Sequence, residues 1–179
     1  MEAFTIFGGT GDLTFRKLLP ALYNGSISGA ESEDYQIIII GRREYTTEQY
    51  CALAREWVQK FARLPYSDRA FGRFASRIAY YRMDFSDPAA YQELNDYFSA
   101  HGIEEFIFYL AVAPRFFGLI AENLASVSGA SRGKVILEKP FGETLEAAKD
   151  LNRRLETIFS PDQIYRIDHY LGKEMVRNI

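Results

Sequence analysis

The chain has 179 residues, of which 47% are hydrophobic and 25% are charged, as in a single globular domain with a substantial core. Its net charge of −3 gives no reason to expect a nucleic acid or an anionic membrane surface as a partner. No apolar run reaches the roughly 20 residues of a membrane-spanning helix, and the N-terminus enters a predicted strand without a signal peptide.

Cys51 is the only cysteine, which excludes an internal disulfide and fits a reducing, cytoplasmic location. It lies within a helical pattern, which favours a small buried side chain over a nucleophile. The two histidines are His101, expected at the surface in a loop beside Gly102, and His169. No metal site is predicted.

Apolar runs and helical patterns alternate along the chain. The predicted strands are residues 3–8, 37–40, 78–83, 106–112, 135–137 and 164–167. Helices are predicted over 12–24 and from about residues 47, 88, 114 and 145, whereas 25–34 and 65–76 are predicted to be irregular. Four consecutive isoleucines at 37–40 indicate a strand buried on both faces, as in a parallel sheet. We therefore predict an α/β fold, a Rossmann-like doubly wound parallel sheet with helices on both faces.

The first predicted strand ends in a glycine turn, Gly8-Gly9-Thr10-Gly11-Asp12-Leu13, and a helical pattern follows at once. Glycines allow the backbone to approach a pyrophosphate, and the helix N-terminus offers free N–H groups to it. Thr14 stands at the third position of the motif, where glycine or alanine is usual. The alternative is a glycine turn that only connects two packed elements. The spacing does not fit a P-loop.

Ligands of such sheets bind beyond the carboxyl ends of the strands, so the residues directly after each strand are the candidates for a site. They are the Gly8 turn, Arg42, Asp84, Ala113, Pro114, Glu138, Lys139, Pro140, Asp168 and His169.

The end of the second strand favours NADP over NAD. An acidic residue there would bind a ribose 2′-hydroxyl, whereas a guanidinium forms charge-assisted hydrogen bonds to a 2′-phosphate. The sequence has Arg42 and Arg43 at this position, followed by Glu44, which could offset part of their charge. The alternative is a pair of solvated surface arginines.

Four segments, taken together and in this order, resemble the glucose-6-phosphate dehydrogenase family. They are residues 8–13 (GGTGDL), 112–114 (VAP), 138–142 (EKPFG) and 166–174 (RIDHYLGKE). The resemblance implies oxidation of D-glucose 6-phosphate to 6-phosphogluconolactone with hydride transfer to NADP, the first step of the pentose phosphate pathway. It assigns residues 1–179 to the coenzyme domain and the first residues of the substrate site. The family's large α+β substrate and dimerisation domain, through which its members form dimers or tetramers, is absent.

The resemblance, together with the strand-end placement of Asp84, assigns roles to individual residues. Coenzyme-binding residues are Gly8, Thr10, Gly11, Asp12, Leu13, Arg42, Arg43, Asp84 and Lys139. Substrate-binding residues are Lys17, Lys139, His169, Tyr170 and Lys173. Asp168 matches an aspartate that orients the general-base histidine, which in the family lies beyond residue 179, so this chain is expected to be inactive alone.

Two other functions stay open at this point. One is a dinucleotide-binding module without catalysis. The other is a structural domain whose exposed apolar face forms an interface and would cause self-association.

Overall fold

The computed structural model describes residues 1–29 and 34–167, and within them it contains six strands and six α-helices. The strands are β1 (Glu2–Phe7), β2 (Tyr35–Gly41), β3 (Ile78–Arg82), β4 (Glu105–Leu110), β5 (Lys134–Glu138) and β6 (Ile164–Ile167). The helices are α1 (Leu19–Ser28), α2 (Thr47–Phe61), α3 (Asp68–Ala75), α4 (Pro88–Ala100), α5 (Phe117–Leu124) and α6 (Leu145–Glu156). A π-helical stretch, Thr14–Leu18, leads directly into α1.

The six strands form one sheet in the order β3-β2-β1-β4-β5-β6, and every neighbouring pair is parallel. The chain therefore winds outward from β1 in one direction and then, after β3, returns to continue from β4 in the other. Phe7 pairs with Ile40 of β2 and with Leu110 of β4, so the carboxyl ends of the three central strands lie level. The predicted fold class is confirmed, and the change of direction lies between β1 and β4.

A core lies on each face of the sheet. Ile37 and Ile39 pack into one of them, and Ile38 and Ile40 pack into the other, all four without solvent exposure. Burial on both faces confirms the interpretation of the four-isoleucine run, and each such side chain contributes about 1.5–3 kcal/mol through burial. Helices α1, α2 and α3 cover the first core, while α4, α5 and α6 cover the second.

Two helix starts that the sequence predicted are confirmed by their caps. The Asp87 carboxylate accepts a hydrogen bond from the N–H of Ala89 at 3.0 Å at the start of α4. The Thr144 hydroxyl accepts one from the N–H of Ala147 at 3.1 Å at the start of α6. Each cap satisfies a donor that the first turn of a helix leaves unpaired.

The prediction that residues 25–34 are irregular is wrong for residues 25–28, because α1 continues to Ser28. The hydroxyl of Ser26 donates to the carbonyl of Tyr23 at 2.8 Å, so the serine does not divert the backbone from the helix. The helix ends at Gly29, whose φ of 69° is left-handed.

The prediction that residues 65–76 are irregular is wrong for residues 68–75, because α3 occupies Asp68–Ala75. Ser67 caps it by accepting from the N–H of Ala70 at 3.2 Å. Phe71 and Phe74 lie three residues apart on its inner face and are both 1% exposed. The helix is amphipathic but only eight residues long, which is too short for a clear helical period.

Candidate functional site

The glycine turn after β1 is held closely between the two neighbouring strands. Gly8 has a φ of +88°, and a Cβ built there would lie 2.1 Å from the carbonyl oxygen of Ala111, just after β4. A Cβ at Gly9 would lie 2.0 Å from Cγ2 of Ile39 on β2. Both glycine N–H groups donate to the carbonyl of Ile40, at 3.1 and 2.8 Å. Glycine is therefore required for the chain to turn this close to its neighbours.

The turn closes on itself and leaves N–H groups free. Gly11 donates to the carbonyl of Gly8 at 3.1 Å. Within the described part of the chain, no hydrogen bond uses the N–H of Thr10, Asp12 or Leu13. These groups lie where the turn enters the helical segment, and unpaired donors together with the helix dipole favour an anion there.

The side chains of the first helical turn have different environments. Thr14 is fully buried, and its hydroxyl donates to the carbonyl of Gly8 at 3.0 Å. Threonine at this position therefore reinforces the glycine turn. Asp12 is exposed and forms an ion pair with Arg16 at 2.9 Å, and Lys17 is exposed on the π-helical stretch.

The loop after β2 presents two cations to solvent. Arg42 and Arg43 are both exposed, and the Arg42 guanidinium carbon lies 5.7 Å from the centre of the Phe85 ring. Glu44 pairs with Arg82 on β3, with 3.6 Å between Oε1 and Nη1. Glu44, which could have offset part of the charge of Arg42 and Arg43, thus forms its ion pair with Arg82.

The arginine loop begins beside the glycine turn, because Gly41, the last residue of β2, lies close to Thr10. A Cβ at Gly41 would lie 3.1 Å from Cγ2 of Thr10 and 2.5 Å from the Tyr80 hydroxyl oxygen. The structure thereby brings together the two parts of the chain that the sequence predicted for the pyrophosphate and for the 2′-phosphate.

Two tyrosines that the sequence analysis did not identify support these loops from behind. The Tyr50 hydroxyl donates to the carbonyl of Gly9 at 2.5 Å, and the Tyr80 hydroxyl donates to the carbonyl of Arg43 at 2.7 Å. The two rings stack with centroids 5.0 Å apart. Burial raises the pKa of both tyrosines, so both hydroxyls are neutral donors. Nothing in their local sequence pattern indicates this role.

Asp84 follows β3, the outermost strand at this end of the sheet. Its side chain is exposed, and Oδ1 accepts a hydrogen bond from the N–H of Ser86 at 2.9 Å. The carboxylate thus stabilises its own turn, and the coenzyme role of Asp84 stays a prediction.

The segment after β5 carries Lys139. Lys139 is exposed, its N–H donates to the carbonyl of Ile167 at 3.3 Å, and its peptide bond to Pro140 is cis. The preceding residue, Glu138, accepts a hydrogen bond from the hydroxyl of Tyr109 on β4. Burial and this carboxylate raise the pKa of Tyr109, so its hydroxyl is protonated and acts as the donor.

A cleft of 620 Å³ separates the segments that follow β4 and β5. Ala113 and Pro114 line one side of it, and Pro140 and Phe141 line the other. No residue of the glycine turn lines this cleft, so it is distinct from the candidate phosphate site.

Four predicted site residues, Asp168, His169, Tyr170 and Lys173, lie outside the residues that the structure describes, and their roles stay predictions. His101 is exposed at the end of α4, as predicted, with Nδ1 2.7 Å from the carbonyl oxygen of Tyr97.

Cys51 is predicted to be buried, and in the structure it is half-buried on α2 and packs against the core. Burial raises the pKa of its thiol and so disfavours the nucleophilic thiolate. Over residues 1–29 and 34–167 there is no group of three histidine, cysteine or acidic side chains that could hold a metal. None of the helices in this part of the chain has the length and apolar character needed to cross a membrane.

A six-stranded parallel sheet in this order, with a glycine turn and free N–H groups where the winding reverses, defines a dinucleotide-binding domain of the Rossmann-like class. The family model described as "Glucose-6-phosphate dehydrogenase, NAD binding domain" matches residues 5–178. The chain belongs to this family, and the resemblance predicted from its four segments is confirmed.

Curated relatives agree with this assignment. The chain is 39% identical to glucose-6-phosphate 1-dehydrogenase of Bacillus subtilis, with 97% of this chain and 36% of the relative covered. It is 37% identical to the enzyme of the same name from Leuconostoc mesenteroides, with 98% and 37% covered. The chain thus spans little more than a third of the length of these relatives.

Solved structures show the same relationship. The crystal structure of glucose-6-phosphate 1-dehydrogenase from Mycobacterium avium matches with a TM-score of 0.85 at 35% identity, covering 96% of this chain and 36% of that one. A glucose-6-phosphate dehydrogenase in complex with its substrate glucose-6-phosphate matches with a TM-score of 0.82 at 34% identity, covering 99% and 38%.

Proposed function

We propose that this chain is the coenzyme domain of an enzyme that oxidises D-glucose 6-phosphate at C1 to 6-phosphogluconolactone, with NADP as hydride acceptor, as the first step of the pentose phosphate pathway. The observation that carries the proposal is the close approach of Gly41, directly before the Arg42–Arg43 loop, to Thr10 of the glycine turn with its free N–H groups. By itself the chain binds coenzyme and does not turn over substrate.

The donors around the site fit a dinucleotide with a 2′-phosphate. Free N–H groups of Thr10 and Asp12 suit the pyrophosphate, and glycines 8 and 9 allow the turn that presents them to lie close to the neighbouring strands. The exposed guanidinium groups of Arg42 and Arg43 suit the 2′-phosphate. Glu44 pairs with Arg82 and not with these two arginines, which supports NADP over NAD.

Hydride can leave C1 only as the C1 hydroxyl loses its proton, so the reaction needs a general base. We assign that base to a histidine beyond residue 179, oriented by Asp168. His169, Tyr170 and Lys173 bind the substrate phosphate, and Lys17 lies near the mouth of the active site.

Lys139 lies between coenzyme and substrate. Its position at the carboxyl end of β5, next to β4 in the sheet, supports this role. Coenzyme binding by Asp12, Leu13 and Asp84 belongs to the same proposal.

The complete protein, in this proposal, is a cytoplasmic homodimer or homotetramer whose contacts lie in a second, α+β domain that follows this one. Reading the gene past the codon for Ile179 tests this part. We expect the reading frame to continue and to encode such a domain, including a histidine that can act as the general base. A stop codon at that point would contradict this expectation.

The coenzyme assignment is tested by calorimetric titration of the 179-residue chain with NADP and with NAD, as wild type and as Arg42→Ala. Loss of charge-assisted hydrogen bonds to a phosphate should raise the Kd for NADP by about 10-fold or more. The Kd for NAD, which has no 2′-phosphate, should change by less than about 2-fold on the same grounds.

Arg63→Ala is the matched control, because Arg63 is an exposed arginine just after α2, remote in sequence from both loops. It removes the same charge and should leave both affinities as in wild type. Binding of neither coenzyme by the wild-type chain, or equal weakening of both by Arg42→Ala, would refute the proposed 2′-phosphate site.

A further inference from the structure

Two tyrosines from different elements touch the two loops of the candidate coenzyme site. Tyr50 lies on α2, is fully buried, and donates to the carbonyl of Gly9 at 2.5 Å. Tyr80 lies on β3, is half-buried, and donates to the carbonyl of Arg43 at 2.7 Å. Their rings stack with an interplanar angle of 22°. The stacked pair therefore connects the backbone of one loop to the backbone of the other.

We propose that Tyr80 and Tyr50 are positioning residues that divide coenzyme recognition between them: Tyr80 holds the arginine loop for the 2′-phosphate, and Tyr50 holds the glycine turn for the pyrophosphate. Removing the Tyr80 hydroxyl then weakens the binding of NADP but not that of NAD. Removing the Tyr50 hydroxyl weakens the binding of both coenzymes. The inference rests on the proposed function, because it assumes that these loops bind a dinucleotide.

Tyr50 acts through the orientation of one peptide group. The carbonyl of Gly9 and the N–H of Thr10 belong to the same planar trans peptide and point in opposite directions. Because the carbonyl is bonded to the buried Tyr50 hydroxyl, the Thr10 N–H is directed away from the core. The Gly9 N–H is fixed as well, by the carbonyl of Ile40 at 2.8 Å. The turn thus presents the Thr10 donor before any ligand binds.

Tyr80 is itself held firmly in place. Its N–H donates to the hydroxyl oxygen of Thr47 at 3.1 Å, and its ring meets the Tyr45 ring edge-on at 5.7 Å. The hydroxyl reaches the arginine loop past Gly41, where a Cβ would lie 2.5 Å from it. Glycine at this position is therefore what admits the tyrosine beneath the loop.

The hydroxyl of Tyr80 fixes the middle of the loop that carries both arginines. The end of this loop is fixed by Thr46, which caps α2 and exchanges two hydrogen bonds with Gln49. A fixed backbone reduces the ordering that Arg42 and Arg43 undergo when they bind a phosphate, and lower ordering cost raises affinity.

The test is calorimetric titration of the 179-residue chain with NADP and NAD, as wild type, Tyr80→Phe and Tyr50→Phe. Phenylalanine keeps the ring stack and removes only the hydroxyl. Tyr80→Phe should raise the Kd for NADP by about 3- to 10-fold and that for NAD by less than about 2-fold, the range expected for one hydrogen bond. Tyr50→Phe should raise both by about 3- to 10-fold.

Tyr81→Phe is the matched control. Tyr81 is the next residue on β3, but it faces the opposite core and packs against Tyr97 at 4.9 Å. No hydrogen bond of the described residues uses its hydroxyl, so both affinities should remain those of wild type. Thermal unfolding followed by circular dichroism checks that each variant is folded, and if Tyr50→Phe is not, Tyr80→Phe tests selectivity alone.

A double variant separates positioning from a general loss of structure. If Tyr80 acts through the arginine loop, its effect depends on Arg42. Adding Tyr80→Phe to Arg42→Ala should then raise the Kd for NADP by much less than Tyr80→Phe does in the wild type, because the effects of interacting residues are not additive. Additive losses, equal weakening of NAD and NADP, or an unchanged NADP Kd in Tyr80→Phe would overturn the inference. If Tyr80→Phe left the Kd for NADP unchanged but Arg42→Ala raised it, the proposed function would stand and the inference about the tyrosines would fail. A wild-type chain that binds neither coenzyme would refute both the proposed function and this inference.

Discussion

At the scale of single residues, the candidate site depends on positions where a side chain has no room. Gly8 combines a left-handed φ of +88° with a carbonyl oxygen 2.1 Å from the place of its Cβ. The sequence indicates that a glycine turn exists, but the neighbour that makes glycine necessary, Ala111, lies more than a hundred residues away. At Thr14, by contrast, a side chain larger than the usual glycine or alanine fits. Its hydroxyl forms a hydrogen bond to the turn itself.

Gly8→Ala should destabilise the chain by more than about 2 kcal/mol, from left-handed strain and from the clash with Ala111 together, and should abolish NADP binding. Urea unfolding and calorimetry measure the two effects.

Gly72→Ala provides the control, because Gly72 lies inside α3 and a Cβ there would meet no atom within 4 Å. The free energy of unfolding of this variant should be about 0.5–1 kcal/mol higher than that of the wild type, since alanine favours a helix more than glycine does. Equal effects of the two substitutions would show that the turn is not sterically constrained.

At the scale of elements, helix boundaries were predictable where a cap precedes a long apolar pattern and not where the helix is short. The starts of α4 and α6 follow Asp87 and Thr144, as predicted. Helix α3 was missed although Ser67 caps it, because two buried aromatic residues in eight positions do not establish a helical period. Its burial against α1 and the sheet supplies the stability that its length does not.

Ser67→Ala should therefore cost about 1 kcal/mol of stability, because the N–H of Ala70 loses its acceptor. Chemical denaturation followed by circular dichroism measures this cost. Ser67→Asp keeps an acceptor at the same position and should be close to wild type. A loss as large in Ser67→Asp as in Ser67→Ala would mean that packing around the loop, and not the cap, is responsible.

At the scale of the whole molecule, α5 and α6 lie next to each other on the face of the sheet that they cover together with α4, and an ion pair joins them. The Arg154 guanidinium donates to both carboxylate oxygens of Glu122, at 2.6 and 2.9 Å. It lies over Gly118, where a Cβ would be 2.4 Å from the guanidinium carbon. The hydrogen bond from Arg154 is the main cause that lowers the pKa of Glu122.

Because the pKa of Glu122 is lower in the folded chain, the pair stabilises the folded state above the ordinary glutamate pKa of 4.5, and this contribution is lost as the pH falls through the lowered value. Both groups are partly exposed, so Glu122→Gln should cost less than about 1 kcal/mol at pH 7. The difference between the melting temperatures of the variant and the wild type should become smaller as the pH falls from 7 to 3. A difference that does not change over this pH range would show that charge is not its origin.

The sequence by itself determined the alternation of strands and helices, the two-sided burial of β2, the glycine turn and the cations after β2. Each of these features is encoded in a short segment, where the spacing of apolar residues or the residue type indicates the local structure and burial. Only the tertiary structure decided that the glycine turn lies beside the start of the arginine loop and that Tyr50 and Tyr80 support the two loops. The partners in those two hydrogen bonds are 41 and 37 residues apart. They meet because β2 lies between β1 and β3 in the sheet and α2 packs against β3 and the helical stretch that follows the glycine turn. Local patterns carry no information about contacts that are set by how the strands are arranged.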